Sequence, residues 1–104
     1  MLLIDVERES ANDSAVVRCS GEIDVATCAA LIETFDSVIP DRPQHLRVDL
    51  QDVSFIDSTG IGCLLHAALQ AQAAGTTFEL VPGEPTMRFI HSSGLGNRLP
   101  IAGT

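Results

Sequence analysis

The order of strand-like and helix-like segments constrains the fold of this sequence more than any other feature. Alternating polar and apolar residues predict strands at 2–9, 15–23, 45–55 and 76–81, and a helix-like segment follows each of the last three. A polar turn at 10–14 joins the first two strands, which should therefore pair antiparallel. Strands that are separated by a helix must pair in parallel, through right-handed crossovers. The pattern thus predicts an α/β protein with a mixed sheet.

Three segments carry the helical spacing of apolar residues, and each has a start or a stop signal. Asp24 can cap the first helix, prolines follow that helix, and a glycine follows each of the other two. Residues 99–102 could add a last short strand. The predicted helices are Val25 to about Ile39, Ser58 or Thr59 to Gly75, and Pro85 to about Ser92.

The strands alternate polar and apolar residues, whereas parallel strands covered on both faces are apolar throughout. We therefore expect one domain over residues 1–104 with a two-layer fold. Its mixed, mostly parallel sheet would have four or five strands, with helices on one face. Loops that follow parallel strands lie at the same end of a sheet. The loop at 21–24 and the loop at 55–59 are therefore predicted to be neighbours.

The charge of the chain excludes several kinds of partner. Six basic residues against 14 acidic ones give a net charge of −8. Sequence-independent binding to nucleic acid, or to an anionic membrane surface, needs the opposite sign. A protein partner with a basic patch fits the charge better. The alternative is that the acidic residues only keep the protein soluble. Because no signal peptide or transmembrane run is found, we expect a soluble, cytoplasmic protein.

The three cysteines are Cys19, Cys28 and Cys63. They form no CxxC pair and have no metal-like spacing with the histidines, so neither a metal site nor a cofactor is predicted. Buried free thiols are the expectation, and a disulfide or a redox switch is the alternative.

The motif DSTGIG at 57–62 lies where a strand ends and a helix begins, and it places two hydroxyls where a helix cap needs one. Ser58 could be the cap alone, or it could carry a phosphate, since helix N-termini favour anions. Gly60 and Gly62 each cost a helix about 1 kcal/mol relative to Ala. They allow either close approach of another surface or tight packing of helix on sheet, and the sequence does not decide between these.

The run LQDVSFIDSTGIG at 50–62 resembles the signature of the STAS domain, in particular that of the bacterial anti-sigma factor antagonists. GEID at 21–24 resembles the entry to the first helix of that family, and PTMRFIHSSGL at 85–95 resembles its third helix with the Gly-Leu that follows. The resemblance covers nearly the whole chain. One departure is that many members continue into a fourth helix, for which this sequence leaves no room.

The resemblance implies a regulator of transcription in stress response or sporulation that acts by partner switching. Its unphosphorylated form would bind an anti-sigma factor that is also a serine kinase, and so release the sigma factor. Phosphorylation of Ser58, not Thr59, would end binding, and a serine phosphatase would reset the protein, a monomer or weak homodimer. The residues implied in partner binding are Glu22, Asp24, Asp57, Ser58, Thr59, Gly60 and Gly62.

Two other classes of function use the same serine or the same helix N-terminus. An enzyme with a nucleophilic serine needs a base, but His45, His66 and His91 all lie far from Ser58 in the predicted fold, and no G-x-S-x-G elbow is present. We therefore expect no catalysis. A ligand- or nucleotide-sensing module, or a scaffold without a phosphorylation switch, remains the alternative, because it would use the same helix N-terminus.

Overall fold

The computed structural model describes residues 1–94 and 98–102. The strands and helices follow the predicted order, and a short 3₁₀ helix at Ile39–Asp41 ends the first helix ahead of Pro43. The strands are β1 (Leu2–Glu9), β2 (Ser14–Ile23), β3 (His45–Ile56) and β4 (Thr77–Pro82), and the helices are α1 (Cys28–Val38), α2 (Ser58–Ala73) and α3 (Glu84–Ser93).

The four strands form one mixed sheet in the order β1-β2-β3-β4. β1 pairs antiparallel with β2, while β2, β3 and β4 pair in parallel, as the sequence predicts. The β2–β3 pairing shifts register twice, between Arg18 and Ser20 and between Gly21 and Glu22. These shifts leave Ile23 opposite Ile56, so both strands end at the same level, where the two predicted loops begin.

The two faces of the sheet differ in chemistry, which confirms the two-layer prediction. The inner face carries Val17, Leu46, Val48 and Leu80, all fully buried against the helices in one apolar cluster. The outer face carries exposed ion pairs, including Arg18–Glu7 at 3.0 Å and Arg47–Glu79 at 2.7 Å. Exposed pairs of this kind contribute little stability, so burial of the inner face accounts for the fold.

Two local predictions need correction, and a third falls outside the described residues. The first helix begins at Cys28 rather than at Val25, because residues 25–27 form a turn held by Asp24. The last strand is a single parallel bridge between Leu80 and Ile101. Leu95, part of the Gly-Leu resemblance after α3, lies outside the described residues.

Within residues 1–94 and 98–102, no helix has both the length and the hydropathy that a membrane span requires.

Candidate functional site

The loops after β2 and β3 are in direct contact, as their shared end of the sheet predicts. The backbone N–H of Asp57 donates to the carbonyl oxygen of Ile23 across 3.3 Å. The Ser54 hydroxyl donates to the carbonyl oxygen of Gly21 across 3.2 Å. These bonds hold the end of β2, which leads into the first loop, against the end of β3, which leads into the second. We call this surface, formed by residues 22–27 and 57–62, the loop pair.

Asp57, and not Ser58 or Thr59, is the N-cap of α2. Its Oδ1 accepts from the backbone N–H of Gly60 at 3.0 Å, and its backbone is extended, as a cap residue requires. Neither the Ser58 nor the Thr59 side chain hydrogen-bonds to any residue in the described part of the chain. Both residues are exposed. The cap is thus supplied by the carboxylate, and the Ser58 hydroxyl is available for other chemistry.

Replacing Asp57 by Ala should lower the free energy of unfolding by about 1 kcal/mol, because the cap hydrogen bond to Gly60 is lost. Asp57→Asn is the matched control, since an amide oxygen can accept the same bond and the change should stay within about 0.5 kcal/mol. Urea unfolding of the two variants measures both values. Equal losses in the two variants would contradict the assignment of Asp57 as the cap.

The two glycines of the motif have different roles. The sequence left open whether they allow tight packing of helix on sheet or close approach of another surface, and the structure assigns one role to each. A Cβ atom on Gly60 would lie 2.7 Å from both the Cγ2 and the carbonyl oxygen of Ile23. Gly60 therefore allows α2 to pack tightly on the end of β2. A Cβ atom on Gly62 would meet nothing within 4 Å, and Gly62 is exposed. Gly62 leaves a bare patch of helix that another surface can approach closely.

Gly60→Ala should destabilise the fold by about 1–3 kcal/mol, because the carbonyl oxygen of Ile23 cannot move aside without disturbing the sheet. Gly62→Ala should instead stabilise it, by up to about 1 kcal/mol, since Ala is the better helix former. Urea midpoints of the two variants, measured side by side, test this contrast. The same sign for both changes would show that the packing at Gly60 is described incorrectly.

The first loop is ordered by Asp24. Its Oδ1 accepts from the backbone N–H groups of Ala26 at 3.0 Å and of Thr27 at 3.1 Å, and from the Thr27 hydroxyl. The turn leaves Val25 77% exposed, an apolar side chain in the middle of a polar site. The sequence did not predict the exposure of Val25, because Val25 was expected to begin the first helix rather than to lie in a turn before it.

The loop pair is acidic. Asp24 and Asp57 take part in none of the ion pairs among the described residues, so neither charge is neutralised by another side chain. The Glu22 carboxylate lies 2.9 Å from the N-terminal ammonium group of Met1. A partner that covers this surface must bring basic groups to Asp24 and Asp57.

The cysteines depart from the expectation of three free thiols. Cys28 and Cys63 form a disulfide between α1 and α2, with 6.7 Å between their Cα atoms. Their separation of 35 residues gives no sequence signal for this pairing. Cys19 is a buried free thiol, as predicted, and burial together with the charge of Asp49 raises its pKa to about 12. The Cys19 thiol therefore remains protonated at neutral pH.

Two of the three histidines lie away from Ser58, whereas His91 lines a cavity together with Phe55 and Ile56, the last two residues of β3. His45 begins β3, at the opposite end of the strand from the loop pair. His66 is exposed two turns into α2, and His91 is exposed in the last turn of α3. Among the described residues, no group of three or more His, Cys, Asp or Glu side chains is arranged to hold a metal ion.

Comparison with known proteins finds relatives of this chain both by sequence and by structure. The family model described as "Mlab, STAS domain" matches residues 6–101. Anti-sigma-F factor antagonist RsfB of Mycobacterium tuberculosis is 36% identical over 94 residues, which are 89% of this chain and 76% of RsfB. The crystal structure of an anti-sigma factor antagonist from Mycobacterium paratuberculosis matches with a TM-score of 0.83 at 34% identity, covering 100% of this chain and 87% of that one.

A more distant neighbour shares the fold alone. The Bacillus cell fate determinant SpoIIAA, in its phosphorylated form, matches with a TM-score of 0.70 at 24% identity over 96% of this chain and 91% of that one.

The mixed sheet with three helices on one face defines a small two-layer domain of the α/β class. The chain belongs to the STAS domain family. Its curated relatives are named anti-sigma factor antagonists.

Proposed function

We propose that this protein is an anti-sigma factor antagonist controlled by phosphorylation of Ser58. The unphosphorylated protein binds an anti-sigma factor that is also an ATP-dependent serine kinase, and this binding releases the sigma factor. The kinase then phosphorylates Ser58 and ends its own capture, and a phosphatase restores the active form. The observation that carries the proposal is the exposed Ser58 hydroxyl. It is not needed as a helix cap, because Asp57 caps the helix.

The loop pair supplies the other contacts in this proposal. Gly62 lets the partner approach the helix closely, and Val25 offers it an apolar contact in the adjoining loop. Asp24 meets a basic residue of the partner at the rim, where a charge affects the association rate more than the final affinity. Glu22 and Thr59 complete the surface. Thr59 also carries a hydroxyl, but it does not receive the phosphate in this proposal.

The free protein should tolerate the phosphate well. A phosphoserine adds about −1.5 to −2 charges. The N–H groups of Ser58 and Thr59 are among the first four of α2, which have no carbonyl partner within the helix. The helix dipole favours an anion at this end by about 0.3–1 kcal/mol. Phosphorylation should therefore leave the fold intact, and the switch should act at the interface.

The proposal is tested by capture from a lysate of the source cell with the wild type, Ser58→Ala and Ser58→Glu as baits. Ser58→Ala should retain a small ATP-binding serine kinase, identified by mass spectrometry and by ATP-dependent phosphorylation of the wild type. Ser58→Glu should lose that kinase, because the added carboxylate must be desolvated in the interface. Equal capture of the same proteins by both variants would contradict the switch and would favour a ligand-sensing or scaffold role.

A further inference from the structure

The disulfide between Cys28 and Cys63 joins the two halves of the loop pair through the helices behind them. Cys28 is the first residue of α1, and Cys63 lies five residues into α2 from Ser58. The Sγ atom of Cys28 also lies 3.9 Å from the carbonyl oxygen of Thr59. One sulfur atom therefore contacts both its bonded partner and the residue that follows Ser58.

Apart from the disulfide, few polar contacts join the two loops, although Gly60 and Ile61 of the first turn are buried in the core. One backbone hydrogen bond joins Asp57 to Ile23, and Gly60 packs against the end of β2. The first turn of α2 is capped by a single hydrogen bond from Gly60 to Asp57. A turn with one cap and exposed hydroxyls can open locally far more easily than the sheet beneath it. The disulfide is the covalent restraint on that opening.

The two sulfur atoms differ in accessibility. Cys28 is buried at 7% exposure, whereas Cys63 is partly exposed. Cys19, the remaining cysteine, is buried in the sheet and takes no part in the pair. A reagent that exchanges thiols and disulfides would therefore reach Cys63 first.

We propose that Cys28 and Cys63 form a reversible redox site that sets the mobility of the first turn of α2 and thereby the rate at which Ser58 is phosphorylated. The second half of this statement rests on the proposed function. The first half stands on the geometry of the pair alone.

Oxidation proceeds by exchange with a disulfide donor, such as an oxidised thiol–disulfide oxidoreductase or glutathione disulfide. The thiolate of Cys63 attacks one donor sulfur, the donor S–S bond breaks, and the first donor thiolate leaves. The thiolate of Cys28 then attacks Cys63 in the mixed disulfide and expels the second donor thiolate. Overall, the two cysteine thiols lose two protons and two electrons, and the donor disulfide takes up both to become two thiols.

The direction of the effect follows from what a kinase requires. A first turn that opens transiently presents Ser58 together with its flanking backbone, and a kinase active site can then take in the hydroxyl more readily. The disulfide restrains that opening, so the oxidised protein should be the poorer substrate and should remain longer in its unphosphorylated form. We expect phosphorylation of the oxidised form to be slower by about fivefold or more, in line with suppressed local unfolding.

The test uses the full chain in three forms: oxidised with glutathione disulfide, reduced with glutathione, and the variant Cys28→Ser/Cys63→Ser. Hydrogen exchange is followed in peptides that cover 57–64, with 77–82 of β4 as the internal reference. Exchange at 58–61 should rise at short labelling times in the reduced form and in the double variant, before exchange in β4, which reports the lower global stability, becomes measurable. Cys19→Ala, which keeps the pair, should respond to glutathione as the wild type does.

Equal exchange at 58–61 in the oxidised and reduced forms would overturn the redox site. A disulfide that reduced glutathione cannot open would do the same, since the pair would then be a permanent crosslink. With the kinase captured by Ser58→Ala, equal phosphorylation rates of the two forms would overturn the coupling to Ser58 and leave the proposed function standing. Differing exchange without phosphorylation of either form would contradict the proposed function and support the redox site.

Discussion

Phosphorylation of Ser58 will weaken binding of the anti-sigma factor by several hundredfold. A phosphate buried in the interface costs several kcal/mol of desolvation, the acidic loop pair supplies no cation for it, and the basic groups of the partner are already paired with Asp24 and Asp57. A penalty of about 3–4 kcal/mol corresponds to that loss, because each 1.4 kcal/mol is a factor of ten in affinity. Titration calorimetry of the phosphorylated and unphosphorylated proteins against the same partner measures the ratio.

The control for this prediction shows that phosphorylation leaves the fold of the free protein unchanged. Backbone amide shifts should change only in the 57–62 segment and in the adjoining 22–27 loop, because the N-terminus of α2 accommodates an anion. Changes throughout the sheet would mean that phosphorylation rearranges the fold. A ratio of affinities close to one would contradict an interface switch altogether.

Reduction of the Cys28–Cys63 disulfide will lower the free energy of unfolding by about 4 kcal/mol, because the bond closes a loop of 35 residues in the unfolded chain. In a domain of this size, that loss corresponds to a fall in Tm of about 15 °C or more. Urea and thermal unfolding with and without reductant measure both quantities. The intact mass of the oxidised protein should be lower by two hydrogens.

Two cysteine variants make this result specific. Cys28→Ser/Cys63→Ser should unfold at the same urea concentration with and without reductant. Cys19→Ala should keep the full response to reductant, although it has its own cost from the lost buried side chain. An unchanged midpoint for the reduced wild type would contradict the stabilising role of the bond.

Much of this fold could be predicted from local patterns. The alternation at Leu46, Val48 and Leu50 gave the inner face of β3, and the polar turn at 10–14 gave the antiparallel pair. Short-range signals of this kind act within a few residues and are therefore visible in the sequence. The same holds for the end of α3, where Gly94 adopts the left-handed backbone that the stop signal requires.

The features that the sequence did not predict depend on contacts between distant segments. Cys28 and Cys63 are brought together by the packing of α1 on α2, which no local pattern encodes. The start of α1 was placed three residues early, because Asp24 caps a turn with the same side-chain geometry that would cap a helix. The register shifts between β2 and β3 likewise follow from sheet pairing.

In the site, too, local patterns predicted some features, and contacts between distant segments determined the others. The motif at 57–62 predicts a helix start with three adjacent polar side chains, and only the hydrogen bond from the Gly60 N–H to Asp57 shows which of them caps the helix. The roles of Gly60 and Gly62 became distinguishable only when Ile23 was seen to lie against one of them. The role of each residue in partner binding remains a prediction.

Mapping the phosphate is the most direct test of the central claim that Ser58 is the switch. The wild type, Ser58→Ala and Thr59→Ala would be incubated with ATP and the kinase captured by the Ser58→Ala bait, and then sequenced by tandem mass spectrometry. The account predicts a single phosphate on Ser58 in the wild type and in Thr59→Ala, and none in Ser58→Ala. Phosphate on Thr59, or undiminished incorporation into Ser58→Ala, would contradict it.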